Sequence, residues 1–235
     1  MSVVLVTGGT GAIGSAIAAE FAATDDVVIT YNSRADEAQK LCEKLHCTAV
    51  RMDVADRCSV DNAVQEILKI FGHVDILVNN AGVSQIKLFT DLTQEDWQRM
   101  IGINLTGCFN VTQAVVRSMI SRKCGAIINV SSVWGVHGAS CEVSYSAAKA
   151  GMIGMTKALA KELGASGITV NCVAPGVIDS PMNSSHLSEE ELNELCEATP
   201  LMRLGRAEEV AQAIRSLAEN RFITGQILGV DGGFY

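Results

Sequence analysis

The chain has 235 residues, of which 48% are hydrophobic and 19% charged, with 21 Gly and only 3 Pro. That apolar fraction fills one packed domain and excludes a disordered chain. The net charge of −8 argues against a general nucleic-acid binder, which would present a basic face.

The first apolar run, Val3–Val6, predicts a strand. It leads through Thr7-Gly8-Gly9-Thr10-Gly11-Ala12-Ile13-Gly14 into an Ala-rich helix from Ser15 to Ala23. Glycines let a backbone turn tightly and approach a phosphate closely. The helix N-terminus behind them offers unpaired N–H groups and the positive end of its dipole. Directly after an N-terminal strand, the pattern points to a dinucleotide phosphate loop. A second strand follows at Val27–Thr30. The residue that reads the adenosine ribose stands about 20 positions past such a loop, and the count reaches Arg34. Asn32, Ser33 and Arg34 precede any acid in this stretch. An acid would bind the 2′-hydroxyl of NAD and repel a 2′-phosphate, whereas Arg34 with Asn32 and Ser33 attracts that phosphate. NADP(H) is therefore favoured, with NAD(H) the alternative.

Thr48–Met52 predicts the third strand. From Arg57 to Gly72 the apolar residues Val60, Ala63, Val64, Ile67, Leu68 and Phe71 recur at steps of three and four along one helix face. Ile76–Val78 is the fourth strand. Thr93-Gln-Glu-Asp96 reads as a helix start, a capping hydroxyl with an acid three residues on. Ile127–Val130 is the fifth strand, and Ser131 and Ser132 stand at its carboxyl end, where open α/β sheets bind ligands. Tyr145 and Lys149 follow on a helix that begins near Ser144. Their spacing of four puts both side chains on one face. Ile168–Val173 and Ile227–Val230 complete seven strands. Between these two, the acidic segment 181–199, with another capped start at Ser188-Glu-Glu-Glu191, is expected to form a mobile helical lid. Continuous apolarity marks strands buried on both faces, and helices fill the gaps between them. The expected architecture is α/β: a Rossmann-type doubly wound sheet of seven parallel strands with helices on both faces, one domain over 1–235.

Eight Cys show no Cys-x-x-Cys spacing, and four His form no His-Glu-x-x-His. No metal site is expected; the thiols read as reduced cysteines of a cytoplasmic protein. No apolar run reaches the roughly 18 residues of a membrane-spanning helix, so no membrane is expected. The first basic residue is Arg34 and Glu20 breaks the apolar N-terminal stretch, so a secretory signal is not expected either.

The pairing of Tyr145 with Lys149 has a chemical meaning. A tyrosine with a pKa of about 10 is normally un-ionised near neutrality. A neighbouring ammonium favours the phenolate, so Lys149 is expected to depress that pKa. Tyr145 would then donate a proton to a carbonyl oxygen as hydride arrives from a nicotinamide. Ser132 would hydrogen-bond the same oxygen and hold the substrate.

With these residues the chain resembles the short-chain dehydrogenase/reductase family, in its short single-domain branch. Thr7-Gly-x-x-x-Ala12-x-Gly14 resembles the family's cofactor loop, which places Gly8, Thr10, Gly11, Ile13 and Gly14 at the phosphates. Asn79-Asn80-Ala81-Gly82 resembles its segment after the fourth strand. Asp53-Val54 matches the adenine-contacting pair. Pro175-Gly176-Val-Ile178, followed by Ser180, matches the segment contacting the nicotinamide. Val230-Asp-Gly-Gly233 matches the C-terminal signature. The resemblance implies a catalytic tetrad of Asn104, Ser132, Tyr145 and Lys149, with Asn104 kinking its helix and holding a proton-relay water. It also implies that Lys149 binds the nicotinamide ribose and that the protein is a homotetramer.

Three features depart from the pattern. Gly8, Gly11 and Gly14 also fit the extended, epimerase-like branch, but 60 residues after Pro175 are too few for its C-terminal domain. Gly11 stands where many NADP-preferring members carry a basic residue, which leaves Arg34 to support NADP. Ser180 replaces a threonine that contacts the carboxamide.

Within the family the chain is similar to 3-oxoacyl-[acyl-carrier-protein] reductases, which implies a carrier-bound carbonyl substrate and acyl carrier protein as partner. Such enzymes dock the carrier through basic residues flanking the site. Arg122 and Lys123 are candidates, while Ser166 stands where bacterial reductases often carry Arg. The segments Gln85–Asp91, Trp134–Val143 and Met182-Asn183 resemble instead a subgroup that reduces a 5-aminopentanone modification on elongation factor P. There Glu142 would suit the substrate's amine, or is simply solvated. Cys141 lines the substrate pocket or is a small packed thiol. A reading of another class, a non-catalytic nucleotide-sensing protein, predicts loss of Tyr145 or Lys149, and both are present.

Overall fold

The computed structural model describes residues 1–181 and 188–234. Among them seven strands form one parallel sheet: β1 Val3–Val6, β2 Asp26–Tyr31, β3 Thr48–Arg51, β4 Ile76–Asn79, β5 Gly125–Val130, β6 Ile168–Pro175 and β7 Ile227–Val230. Their order is β3-β2-β1-β4-β5-β6-β7. The chain direction across the sheet reverses between β1 and β4, and the carboxyl ends of those strands open a crevice there. Registers such as Leu5 with Val28 on one side and Leu77 on the other keep the apolar runs aligned.

Helices cover both faces. On one side lie α1 (Ala12–Ala22), α2 (Ala35–Leu45) and the C-terminal helix Ala207–Glu219. Ile17, Phe21, Val210 and Ile214 pack there against Val4, Val6 and Ile128. On the other side α3 (Arg57–Phe71), α5 (Gly107–Arg122) and α7 (Val143–Leu163) bury Val60, Ile67, Val111, Met119 and Leu163 against Leu5, Leu77 and Ile127. Alternate residues of one strand thus serve two cores, which is why the strands read as unbroken apolar runs.

The expected helix starts hold. Thr93 caps α4 (Gln94–Ile101) and Ser188 caps α8 (Glu189–Ala198), each reciprocally with the acid three residues on. The first helix begins at Ala12 rather than Ser15, because Gly14 is already helical. A short helix α6 (Val133–His137) follows Ser132, and Ala207–Glu219 is α9. The lid expected over 181–199 is described only at Pro181 and from Ser188 onward, where α8 is the helix foreseen; Met182 and Asn183 lie outside the described residues. No described helix is long and apolar enough to cross a membrane.

Candidate active site

The phosphate loop leaves the end of β1. Gly8 takes a left-handed φ of 65° against the backbone of Ala81, where a side chain would collide. A Cβ at Gly14 would meet the Gly8 carbonyl and stand 2.8 Å from Asn80 Nδ2. Thr7 ties this loop to the segment after β4, because its Oγ1 accepts from Asn80 N at 2.9 Å and Ala81 N at 3.0 Å. Asn80 Nδ2 donates in return to Thr7 O and Gly8 O. Helix α1 starts behind Gly11 with no side-chain cap. Its free N–H groups and a backbone cradle without side chains fit a pyrophosphate. Thr10, Gly11 and Ile13 are half-buried around that cradle.

The residues expected to meet the adenosine lie beyond β2 and β3. Asn32, Ser33 and Arg34 are exposed beyond β2, with Arg34 at the cap of α2. Arg51, at the end of β3, donates through Nε to Asn32 O at 3.3 Å. It brings a second guanidinium to this edge, and reading along the chain missed it because the contact crosses between strands. Asp53 is anchored by its N–H to Ser59 Oγ at 2.9 Å. Val54 is buried under Gly107, and its carbonyl accepts from Asn110 Nδ2. On the nicotinamide side, Gly176 N–H donates to Val230 O and Ile178 is buried, bridged to Gly205. Pro175 ends β6, and Ser180 is half-buried beyond it.

Ser132, Tyr145, Lys149 and Asn104 come together at the carboxyl end of β5. Ser132 caps α6, its Oγ accepting from Trp134 N. Lys149 is buried and donates through Nζ to Val130 O at 2.8 Å, while Ser131 Oγ donates to Lys149 O at 2.8 Å. The lysine nitrogen lies 5.6 Å from the centre of the Tyr145 ring. Asn104 is fully buried in a widened helical turn, Gly102–Thr106, between α4 and α5. Its Nδ2 donates to Met100 O and Val83 O, and its Oδ1 accepts from Val83 N. Such turns concentrate at functional sites, and Asn104 stands in this one. Gly82 sits against both Asn104 and Lys149. Ser131 and Gly135, which clamp α7 against β5, were not singled out as site residues. A glycine inside a short helix after the paired serines was the available signal.

The electrostatics correct one expectation. Tyr145 is not depressed: burial pushes its phenol up to about 12, and the nearby Glu142 carboxylate adds to this, while a hydrogen bond with Ser132 pulls the other way. Burial pushes the Lys149 ammonium down to about 8. Burial dominates in this apolar setting, and the lysine's bond goes to a backbone carbonyl rather than to the phenol. Glu142 is the cap residue of α7, half-buried, and burial raises its carboxyl to about 7. No hydrogen bond or ion pair holds that carboxylate among the described residues. The preceding Cys141 has a left-handed φ of 60°, and its carbonyl accepts from Lys87 N at 2.8 Å.

A family model described as Enoyl-(Acyl carrier protein) reductase matches residues 9–235. The chain is 41% identical to the 3-oxoacyl-[acyl-carrier-protein] reductase FabG of Thermotoga maritima, over 98% of this chain and 96% of that protein. It is 39% identical to FabG of Escherichia coli, over 99% and 97%. The chain belongs to the short-chain dehydrogenase/reductase family. It is accordingly an oxidoreductase of carbonyl and hydroxyl groups that works with a nicotinamide cofactor.

One expectation drawn from these reductases fails within a single chain. Arg122 and Lys123 precede β5, and Ser166 precedes β6, so all three lie at the opposite end of the sheet from Tyr145. Arg122 is moreover paired with Asp75 at 2.7 Å.

Proposed function

We propose that this protein is an NADP(H)-dependent carbonyl reductase with Tyr145 as general acid and a 3-oxoacyl thioester as substrate. The observation that carries the reading is the convergence of Ser132, Tyr145, Lys149 and Asn104 on one point at the carboxyl end of β5. When bound, a nicotinamide cofactor supplies the hydride. Ser132 and Tyr145 hold the carbonyl oxygen, and the phenol delivers its proton as negative charge develops there. Lys149, fixed by Val130 O, keeps a positive charge beside the ring and binds the nicotinamide ribose. Asn104 stands behind Lys149 as the entry to a proton relay. Arg34 and Arg51 together favour a 2′-phosphate, hence NADP. The names of the FabG relatives support the thioester and acyl carrier protein as partner.

In this reading residues 1–235 form one domain with α8 as part of a lid. The chain assembles with copies of itself, to which the exposed Leu228 of edge strand β7 and the exposed Phe222 are suited. Eight free cysteines fit a reducing cytoplasm. The test is NADPH oxidation with a 3-oxoacyl thioester. Tyr145→Phe should lose about 10²–10⁴-fold in kcat with NADPH affinity unchanged; parental rates in this variant would sink the mechanism.

Glu142 favours a second reading. Its carboxylate, held by no hydrogen bond or ion pair among the described residues and one turn before Tyr145, suits a substrate with a primary ammonium, such as the 5-aminopentanone group on elongation factor P. Glu142→Gln should then raise KM for an amine-bearing ketone by about tenfold or more while leaving a neutral ketone unchanged. Equal effects on the two ketones would remove this reading.

A further inference from the structure

Helix α2 ends in a pair of thiols that carbonyl reduction does not use. Cys42 lies in its last turn and Cys47 just beyond its end, with their Sγ atoms 2.9 Å apart. The helix terminus holds them together. His46 takes a left-handed φ of 55°, and the N–H groups of His46 and Cys47 both return to Cys42 O. In a cap of this kind the chain folds back, so the residue after the left-handed position packs against the last turn. Here both positions are cysteines. Both are half-buried at the margin of the core rather than sealed within it. Burial and the neighbouring Cys42 push the Cys47 thiol up to about 12.

We infer that Cys42 and Cys47 form a reversible oxidation site that small-molecule disulfides close to an internal disulfide. Cys42 gives up its proton and attacks one sulfur of the reagent. The reagent's S–S bond breaks, and one thiol leaves carrying a proton. Cys47 then attacks Cys42 Sγ in the mixed disulfide and releases the second thiol with its own proton. Two protein thiols are oxidised and one small disulfide is reduced to two thiols. Cys47, with its raised pKa, is the poorer first nucleophile and serves as the resolving thiol. Closure brings the sulfurs together by less than about 1 Å, because an S–S bond is about 2.05 Å long.

The test uses the reduced full-length protein, oxidised glutathione as the probe and mass-spectrometric mapping of every cysteine. A Cys42–Cys47 disulfide should form and dithiothreitol should reverse it, with glutathione retained at neither position. In Cys47→Ser the resolving step is lost, so the glutathione adduct at Cys42 should rise about tenfold or more over the parent. Cys47→Ala, checked for parental circular dichroism, should do the same. Exposed Cys58 is the internal control and takes up glutathione in all three proteins. Glutathione retained at Cys42 of the parent without a cross-link would overturn the inference. So would free thiols at both positions while Cys58 is modified.

Discussion

One added methyl group at Gly82 tests the placement of Asn104 without touching Tyr145. A Cβ built on Gly82 stands 2.6 Å from Asn104 Oδ1 and 3.5 Å from Lys149 Nζ. The second distance is an ordinary contact, so the lysine need not move. The first is well under the roughly 3.5 Å at which non-bonded atoms rest, so the strain falls on Asn104. That side chain is fully buried and tied to Val83 N, Val83 O and Met100 O, so any displacement breaks those bonds. Overpacking of this kind costs about 1–3 kcal/mol. For a chain of this size each kcal/mol lowers Tm by about 2–4 °C, so Gly82→Ala should melt about 2–12 °C below the parent. Where Asn104 yields instead, the same 1–3 kcal/mol appears as a loss of about 5–150-fold in kcat. Thermal unfolding and NADPH oxidation with an activated ketone read the two outcomes. Gly102→Ala is the control from the neighbouring widened turn. Nothing lies within 4 Å of a Cβ there and the backbone is helical, so it should be neutral or stabilising by about 0.4–1 kcal/mol, with unchanged kcat. Parental Tm and kcat together in Gly82→Ala would refute both the packing and the relay role of Asn104.

Two further predictions concern charge. Arg34→Asp should weaken NADPH by about tenfold or more and leave NADH unchanged or tighter, measured as the two dissociation constants; an unaltered preference would take Arg34 out of the cofactor argument. Lys149 has a folded pKa of about 8, below its ordinary value of 10.5. The unfolded chain therefore binds the extra proton between these values, and this group's share of stability rises with pH across that window. Catalysis moves the other way, since the ammonium is lost: kcat for ketone reduction should fall as pH passes about 8. Lys149→Met should remove that limb of the profile, and a limb that survives the substitution belongs to another group.

The inner strands β1, β4, β5 and β6 were legible because each is buried on both faces and so reads as an apolar run. Their ends were less so. β5 begins at Gly125 and β6 extends to Pro175, residues that read as breakers although their neighbours continue the ladder. Caps at Thr93 and Ser188 were legible because the whole device lies within four residues. Among the candidate site residues, Tyr145 and Lys149 were paired by their spacing and Asn104 came only with the family resemblance; the surroundings of all three were not legible. Arg51 reaches Asn32 across the sheet, Thr7 bonds Asn80 over a separation of 73 residues, and Arg122 turns to Asp75. None of these contacts leaves a local pattern. The Tyr145 phenol was misjudged for the same reason: spacing showed the lysine nearby but not the burial that outweighs it.

That burial bears on when the Tyr145 proton moves in the proposed mechanism. A tyrosine that must act as a base needs a depressed pKa, so that phenolate exists near neutrality. A tyrosine that acts as an acid needs only to keep its proton until negative charge appears on the substrate oxygen. With its pKa pushed up to about 12, Tyr145 holds that proton across the whole neutral range. An alkoxide is a stronger base than this phenolate, so transfer toward the developing alcohol remains downhill. The Glu142 carboxylate raises the phenol further, so Glu142→Gln should lower the phenol's pKa while leaving it the proton donor. In the proposed mechanism burial and Glu142 thus keep the proton on Tyr145 in the resting site, and the buried Lys149 charge is placed to help the phenolate once the proton has gone.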